Sequence, residues 1–184
     1  MIKFIVNWLM ENGADESDRE VYLYSLECIL NELIADLLLI LCGILASRLT
    51  EIILWLVLFT SIRINLGGYH AKTHIRCIMS STLLGCACIM TAPLLKDLKV
   101  LLILFSCFSF IIIIKLAPVI HKHHPVPDAK KRTIKYRAIF FASLDLVIII
   151  FSPDNYFYLR EITFLALFSA TCLSIMGYRN HNEL

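Results

Sequence analysis

The stretch GGYHAKTHIRC, residues 67–77, is short, polar and basic, and it holds two Gly, two His and one Cys. The apolar run LTEIILWLVLFTSI (49–62) precedes it, and the apolar run CIMSSTLLGCACIMTAPLL (77–95) begins at its last residue. A polar segment so framed reads as a loop between two membrane segments. The whole chain supports that reading. Of its 184 residues 59% are hydrophobic and only 17% are charged, whereas soluble domains are roughly a quarter charged. The formal net charge of +2 excludes the global basic character expected of a nucleic-acid binder.

Working outward, residues 2–10 place Ile2, Phe4, Ile5, Trp8 and Leu9 in a stretch too short to span, which fits an interfacial helix. The N-terminus lacks the layered pattern and small-residue cleavage site of a signal peptide. ENGADES (11–17) reads as a turn, and Ser17 followed by Glu20 is a capping-box signal for a new helix. That helix runs through VYLYSLECILNELIADLLLILCGILAS (21–47), where Glu27, Glu32 and Asp36 precede a short uncharged core. After the two runs already quoted come VLLILFSCFSFIIII (100–114), AIFFASLDLVIIIF (138–151) and ITFLALFSATCLSIMGY (162–178). Several of these are shorter than the roughly 20 residues a spanning helix needs, and snorkelling flanks would complete them. The expectation is an all-α polytopic membrane protein. It is one domain over 1–184, with an interfacial helix and turn over 1–16 and about six transmembrane helices over 17–184.

Lys and Arg in short loops set orientation. One loop carries Arg63, Lys72 and Arg76. Another carries Lys115, Lys122, Lys130, Lys131, Arg132, Lys135 and Arg137. Two crossings separate them, so both are expected on the cytoplasmic side, and six crossings leave both termini there as well. The opposite connections are poorer in positive charge, with Arg48, Lys96, Lys99 and Arg160.

A thiolate is the nucleophile in cysteine catalysis, and a nearby imidazole can take the thiol proton. Arg63, Lys72 and Arg76 would favour a thiolate at Cys77, as would a position at the start of a helix. Gly67 and Gly68 supply backbone freedom where chains approach closely. On a continuous helix, positions seven apart are separated by about 10 Å along the axis. His70 therefore reaches Cys77 only if the chain bends between them. His74 is the geometric rival, because positions three apart are helix neighbours. Spacing alone does not choose between them.

Arg63, Gly68, His70 and Cys77, in the order R-x4-G-x-H-x6-C, resemble the signature of the AgrB family of membrane cysteine endopeptidases. LAPVIHKHHPVPDAKKR (116–132) resembles that family's Ala-Pro-containing cytoplasmic segment. The resemblance implies a processor of an AgrD-like quorum-sensing propeptide, with Cys77 as nucleophile and His70, rather than His74, as general base. Arg63, Gly67 and Gly68 would be supporting positions. Independently of the resemblance, the basic run from Lys130 to Arg137 suits topology and anionic lipid, and its Lys130, Lys131 and Arg132 are candidate contacts for acidic parts of the propeptide. The implied reaction is acyl transfer through a Cys77 thioester, closed by a Cys or Ser of the peptide into a thiolactone or lactone. Self-association as a dimer is implied too. No cofactor and no nucleic-acid partner are expected.

Other features carry weaker signals. Cys28, Cys42, Cys86, Cys88, Cys107 and Cys172 lie mostly in apolar runs, where free Cys behaves as a small hydrophobe, so reduced thiols rather than disulfides are expected. The CAC at 86–88 and the HKHH at 121–124 are metal lures, but packing and a solvated headgroup-facing loop account for them. Asp36 and Asp145 lie in or beside membrane segments and serve either a relay or substrate contact or a helix-packing hydrogen bond. The rival reading is a small membrane transporter or exporter of a peptide or metal. The sequence shows no internal repeat to favour it. In a third reading the chain is a structural partner subunit without chemistry.

Overall fold

The computed structural model describes residues 2–69, 73–119, 128–153 and 158–182. Among them the chain forms seven α-helices and no strand: α1 (Ile2–Glu11), α2 (Arg19–Leu45), α3 (Leu49–Leu66), α4 (His74–Thr91), α5 (Lys99–Leu116), α6 (Asp128–Phe151) and α7 (Leu159–Asn182). The expected all-α membrane architecture is what is found.

Helix α1 is amphipathic. Val6 is buried while Phe4 and Trp8 stand exposed, and the helix packs on α2. The start of α2 differs from the expected capping box. Asp15, not Ser17, is the capping acceptor: its carboxylate accepts from the Ser17 N–H at 2.9 Å and the Ser17 hydroxyl at 2.8 Å. A short 3₁₀ turn, Glu16–Asp18, follows, and α2 itself starts at Arg19 without a side-chain cap. Arg19 ties this corner to α1 by donating to Asn7 Oδ1 at 2.6 Å.

Among the described residues five helical segments are long and apolar enough to cross a membrane: Glu16–Leu45, Leu49–Leu66, His74–Leu95, Lys99–Leu116 and Leu159–Arg179. The expected sixth, α6, is not among them: even its most apolar 18-residue stretch, 134–151, carries three charges, Lys135, Arg137 and Asp145. It nonetheless packs within the bundle against α3, α5 and α7. The most enclosed span is α7: 61% of its apolar window is buried, against 17% in α2. The reason is small residues at the contacts. Ala138 and Ala142 of α6 and Ala166 and Ala170 of α7 are fully buried, which lets helix backbones approach closely. Around them Trp55, Ile62, Leu66, Leu102, Ile113 and Leu167 fill the core. Leu41, Val57, Leu83, Leu104 and Phe108 face outward, as a lipid-facing belt requires.

The ends of α3 and α5 are clipped together. The Val119 N–H donates to the Leu66 carbonyl at 2.9 Å, and Gly67 and Val119 form an isolated parallel bridge. The two basic loops therefore begin side by side at one end of the bundle.

Candidate functional site

At that end α3 turns sharply. Gly67 has φ 73° and Gly68 has φ 142°, a backbone region that L side chains rarely adopt. Space forbids side chains as well. A Cβ on Gly67 would collide with the Val119 carbonyl oxygen, and one on Gly68 with Arg63 Nη1. Arg63, one turn before the end of α3, closes the elbow. Its Nη1 donates to Gly67 O at 2.7 Å and its Nη2 to Tyr69 O at 2.5 Å. A guanidinium fork suits this task because it offers several donors in fixed geometry. From the other side α7 holds the same elbow, its Leu173 carbonyl accepting the Tyr69 N–H at 2.9 Å.

Cys77 approaches from α4. Thr73 is the N-cap: its backbone is extended and its hydroxyl accepts from the Arg76 N–H at 3.4 Å. The Cys77 N–H already donates to Thr73 O at 3.0 Å. Cys77 thus sits in the first turn of the helix, and its own N–H is engaged. The N–H groups of His74 and Ile75 have no acceptor within the helix, as at any helix start.

Cys77, Arg63 and Tyr69 line one small cavity of about 40 Å³, together with Glu32, Phe59, Ser80, Ser81, Leu84 and Leu173. A larger groove of about 390 Å³ runs between α2 and α3, lined by Cys28, Ile29, Glu32, Leu33, Asp36, Thr60, Arg63, Ile64 and Gly67. Glu32 and Arg63 line both spaces and form the partition between them.

Arg63 and Cys77 are thus brought together, and Gly67 and Gly68 form the elbow beside them. His70 and Lys72 lie outside the described residues, as does the HKHH segment. His74 does not line the cavity. Its ring meets the Asn31 amide at 3.1 Å, and its Nε2 lies 3.9 Å from a Glu27 oxygen, both on α2. Lys130, Lys131 and Arg132 stand on the first turns of α6 and do not line the cavity either. Arg132 lies over the Tyr136 ring at 5.7 Å. Among the described residues no three metal-ligating side chains gather.

Sequence reasoning passed over Glu32, Tyr69, Leu173 and Gly177. The signal for Glu32 was present, as an acid in the middle of a spanning helix. Leu173 and Gly177 meet the elbow from about a hundred residues away, which no local pattern announces.

A family model described as Accessory gene regulator B matches residues 2–176 of the 184. No curated protein and no solved structure matches the chain. With the match covering nearly its whole length, the chain belongs to the accessory gene regulator B family, multi-pass membrane proteins of quorum-sensing peptide processing.

Proposed function

We propose that this chain is a membrane cysteine endopeptidase that cleaves an AgrD-like propeptide and passes the acyl group to a nucleophile within the same peptide. The carrying observation is the small cavity lined together by Cys77, Arg63 and the tethered Tyr69. Only residues 70–72 separate Tyr69 from the cap Thr73, so His70 follows directly on a residue of the cavity wall. In this reading His70 takes the Cys77 proton. The sulfur attacks a peptide carbonyl, and the C–N bond breaks as His70 returns the proton to the leaving amine. An acyl-thioester on Cys77 remains. A Cys or Ser of the bound peptide attacks it, loses its proton to His70, and frees the thiol as the ring closes. The N–H groups of His74 and Ile75, at the positive end of the α4 dipole, are the available oxyanion donors. A cavity of about 40 Å³ holds roughly three waters at most. A bound peptide displaces them, which favours ring closure over hydrolysis.

The end of the bundle that carries the elbow is assigned to the cytoplasm from its Lys and Arg content, and α6 is taken as a sixth crossing whose basic first half stays at the surface. Lys130, Lys131 and Arg132 then offer an anionic-lipid or propeptide contact at that surface rather than in the cavity. The family also suggests a dimer.

The test is co-expression with the cognate propeptide, followed by mass spectrometry, for wild type, Cys77→Ala, His70→Ala and His74→Ala. Loss of processing in the first two variants, with His74→Ala active, is the expected result. Loss with His74→Ala but not His70→Ala moves the base to His74. Full processing by Cys77→Ala refutes the peptidase and favours the transporter.

A further inference from the structure

We propose that Gly177 of α7 is a positioning residue for the reaction at Cys77. Its missing side chain lets α7 hold the Gly67–Tyr69 elbow against the cavity. This rests on the peptidase reading above.

Leu173 and Gly177 are one helical turn apart and share a face. The Leu173 carbonyl, which would accept the Gly177 N–H within the helix, also accepts the Tyr69 N–H at 2.9 Å. One carbonyl oxygen has two lone pairs and serves both. The second donor reaches it only because nothing projects from position 177. A Cβ there would stand 2.5 Å from the Gly68 carbonyl carbon and 2.7 Å from both Gly68 Cα and Tyr69 N. All three atoms are backbone, so no rotamer change relieves the clash.

Ordinary contact begins near 3.4 Å, so α7 and the elbow would part by about 0.9 Å (3.4 minus 2.5). The elbow cannot part from α7 without disturbing its other holds, the Arg63 bonds to the Gly67 and Tyr69 carbonyls and the bridge of Gly67 to Val119. What shifts is therefore Tyr69 and Arg63, both walls of the Cys77 cavity. A misplacement of about 1 Å at a reacting centre costs on the order of a hundredfold in rate.

Gly85 of α4 gives a matched contrast. A Cβ there meets Leu39 Cδ2 at 2.7 Å and Trp55 Cζ3 at 3.0 Å, which are side-chain atoms. That crowding strains the packing of α2 and α3 against α4 without touching the elbow.

The experiment uses the full chain in lipid nanodiscs with its propeptide. It measures kcat and KM, and the iodoacetamide alkylation rate of Cys77 against pH, resolved by peptide mass spectrometry. For Gly177→Ala the expected result is a kcat about a hundredfold lower, KM within about threefold, and a displaced alkylation profile. Gly85→Ala is expected to melt earlier yet keep kcat within about threefold. Wild-type kcat and alkylation in Gly177→Ala overturn the proposal. So does an equal loss of kcat in Gly85→Ala, which makes the effect general crowding. If Gly177→Ala does not fold, hydrogen exchange of the wild type decides. A Tyr69 amide as slow as its α7 neighbours supports the contact, and one as fast as an open loop overturns it. If wild type does not process the propeptide, the peptidase reading fails. Alkylation and exchange then still decide whether Gly177 holds the elbow at Cys77.

Discussion

Arg63 offers the sharpest perturbation of the site. Its two donors hold Gly67 O at 2.7 Å and Tyr69 O at 2.5 Å. Hydrogen bonds from a charged group contribute about 1.5–3 kcal/mol each. Lysine keeps the charge but is a point donor without the fork, so it satisfies one carbonyl and not both. Arg63→Lys should therefore cost about 2 kcal/mol of elbow closure. At 1.36 kcal/mol per tenfold, that lowers the closed-to-open ratio of the elbow about thirtyfold. Arg63→Met keeps the apolar stem and loses both bonds, about 4 kcal/mol in all, for a loss on the order of a thousandfold. The assay is single-turnover propeptide processing in nanodiscs, with amide exchange across 67–69 read in parallel. The graded order wild type, Lys, Met should emerge in both readouts. Processing by Arg63→Lys within about threefold of wild type, with unchanged exchange across the elbow, would refute the clamp.

Three further outcomes are expected. Gly67→Ala combines a backbone region open essentially to glycine alone (φ 73°, ψ −166°) with a collision on the Val119 carbonyl, and processing should fall at least about tenfold, since the backbone penalty alone is about 1–3 kcal/mol; Gly13→Ala, at φ +96° but with open space around it and far from the elbow, should process normally in the same assay. His74→Ala removes exposed contacts to Asn31 and Glu27 and should leave the thermal midpoint almost unchanged, because such surface changes stay within about 0.5 kcal/mol. Hydrogen bonds from the Ser17 N–H and hydroxyl hold the Asp15 carboxyl below its ordinary value of 3.8. A depressed folded pKa means this contribution is present above the unfolded value and lost as pH falls through the folded one, so acid should loosen the α1–α2 corner. Trp8 fluorescence should report that transition in wild type and lose it in Asp15→Asn.

Much of the architecture was legible because a membrane chain writes its helices as apolar runs. The runs at 49–62, 77–95 and 100–114 fall within the described spans with small shifts at their ends. The interfacial segment 2–10 is found as Ile2–Glu11. The capping signal at Ser17 misled because the Asp15 carboxylate, two residues earlier, takes both the Ser17 N–H and the Ser17 hydroxyl. Helix α6 is the ambiguous run: its apolar half reads as a span, but Asp145 within it and Lys135 and Arg137 at its start put three charges in one 18-residue stretch. At the site, the Gly-Gly pair and Arg63 were visible as residues, but their geometry was not. It depends on Val119 from the segment after α5 and on Leu173 and Gly177 of α7. Spacing left His70 and His74 open. In the structure the His74 ring meets Asn31 and Glu27 of α2.

The central claim is a covalent acyl group on Cys77. The direct measurement is intact-mass spectrometry of the chain after mixing with a propeptide whose ring-closing Cys or Ser is replaced by Ala. The account predicts an adduct equal to the peptide's N-terminal fragment, located on Cys77 and removed by hydroxylamine. Cleavage of that propeptide with no adduct on Cys77 at any time, or an adduct that persists in Cys77→Ala, would contradict it.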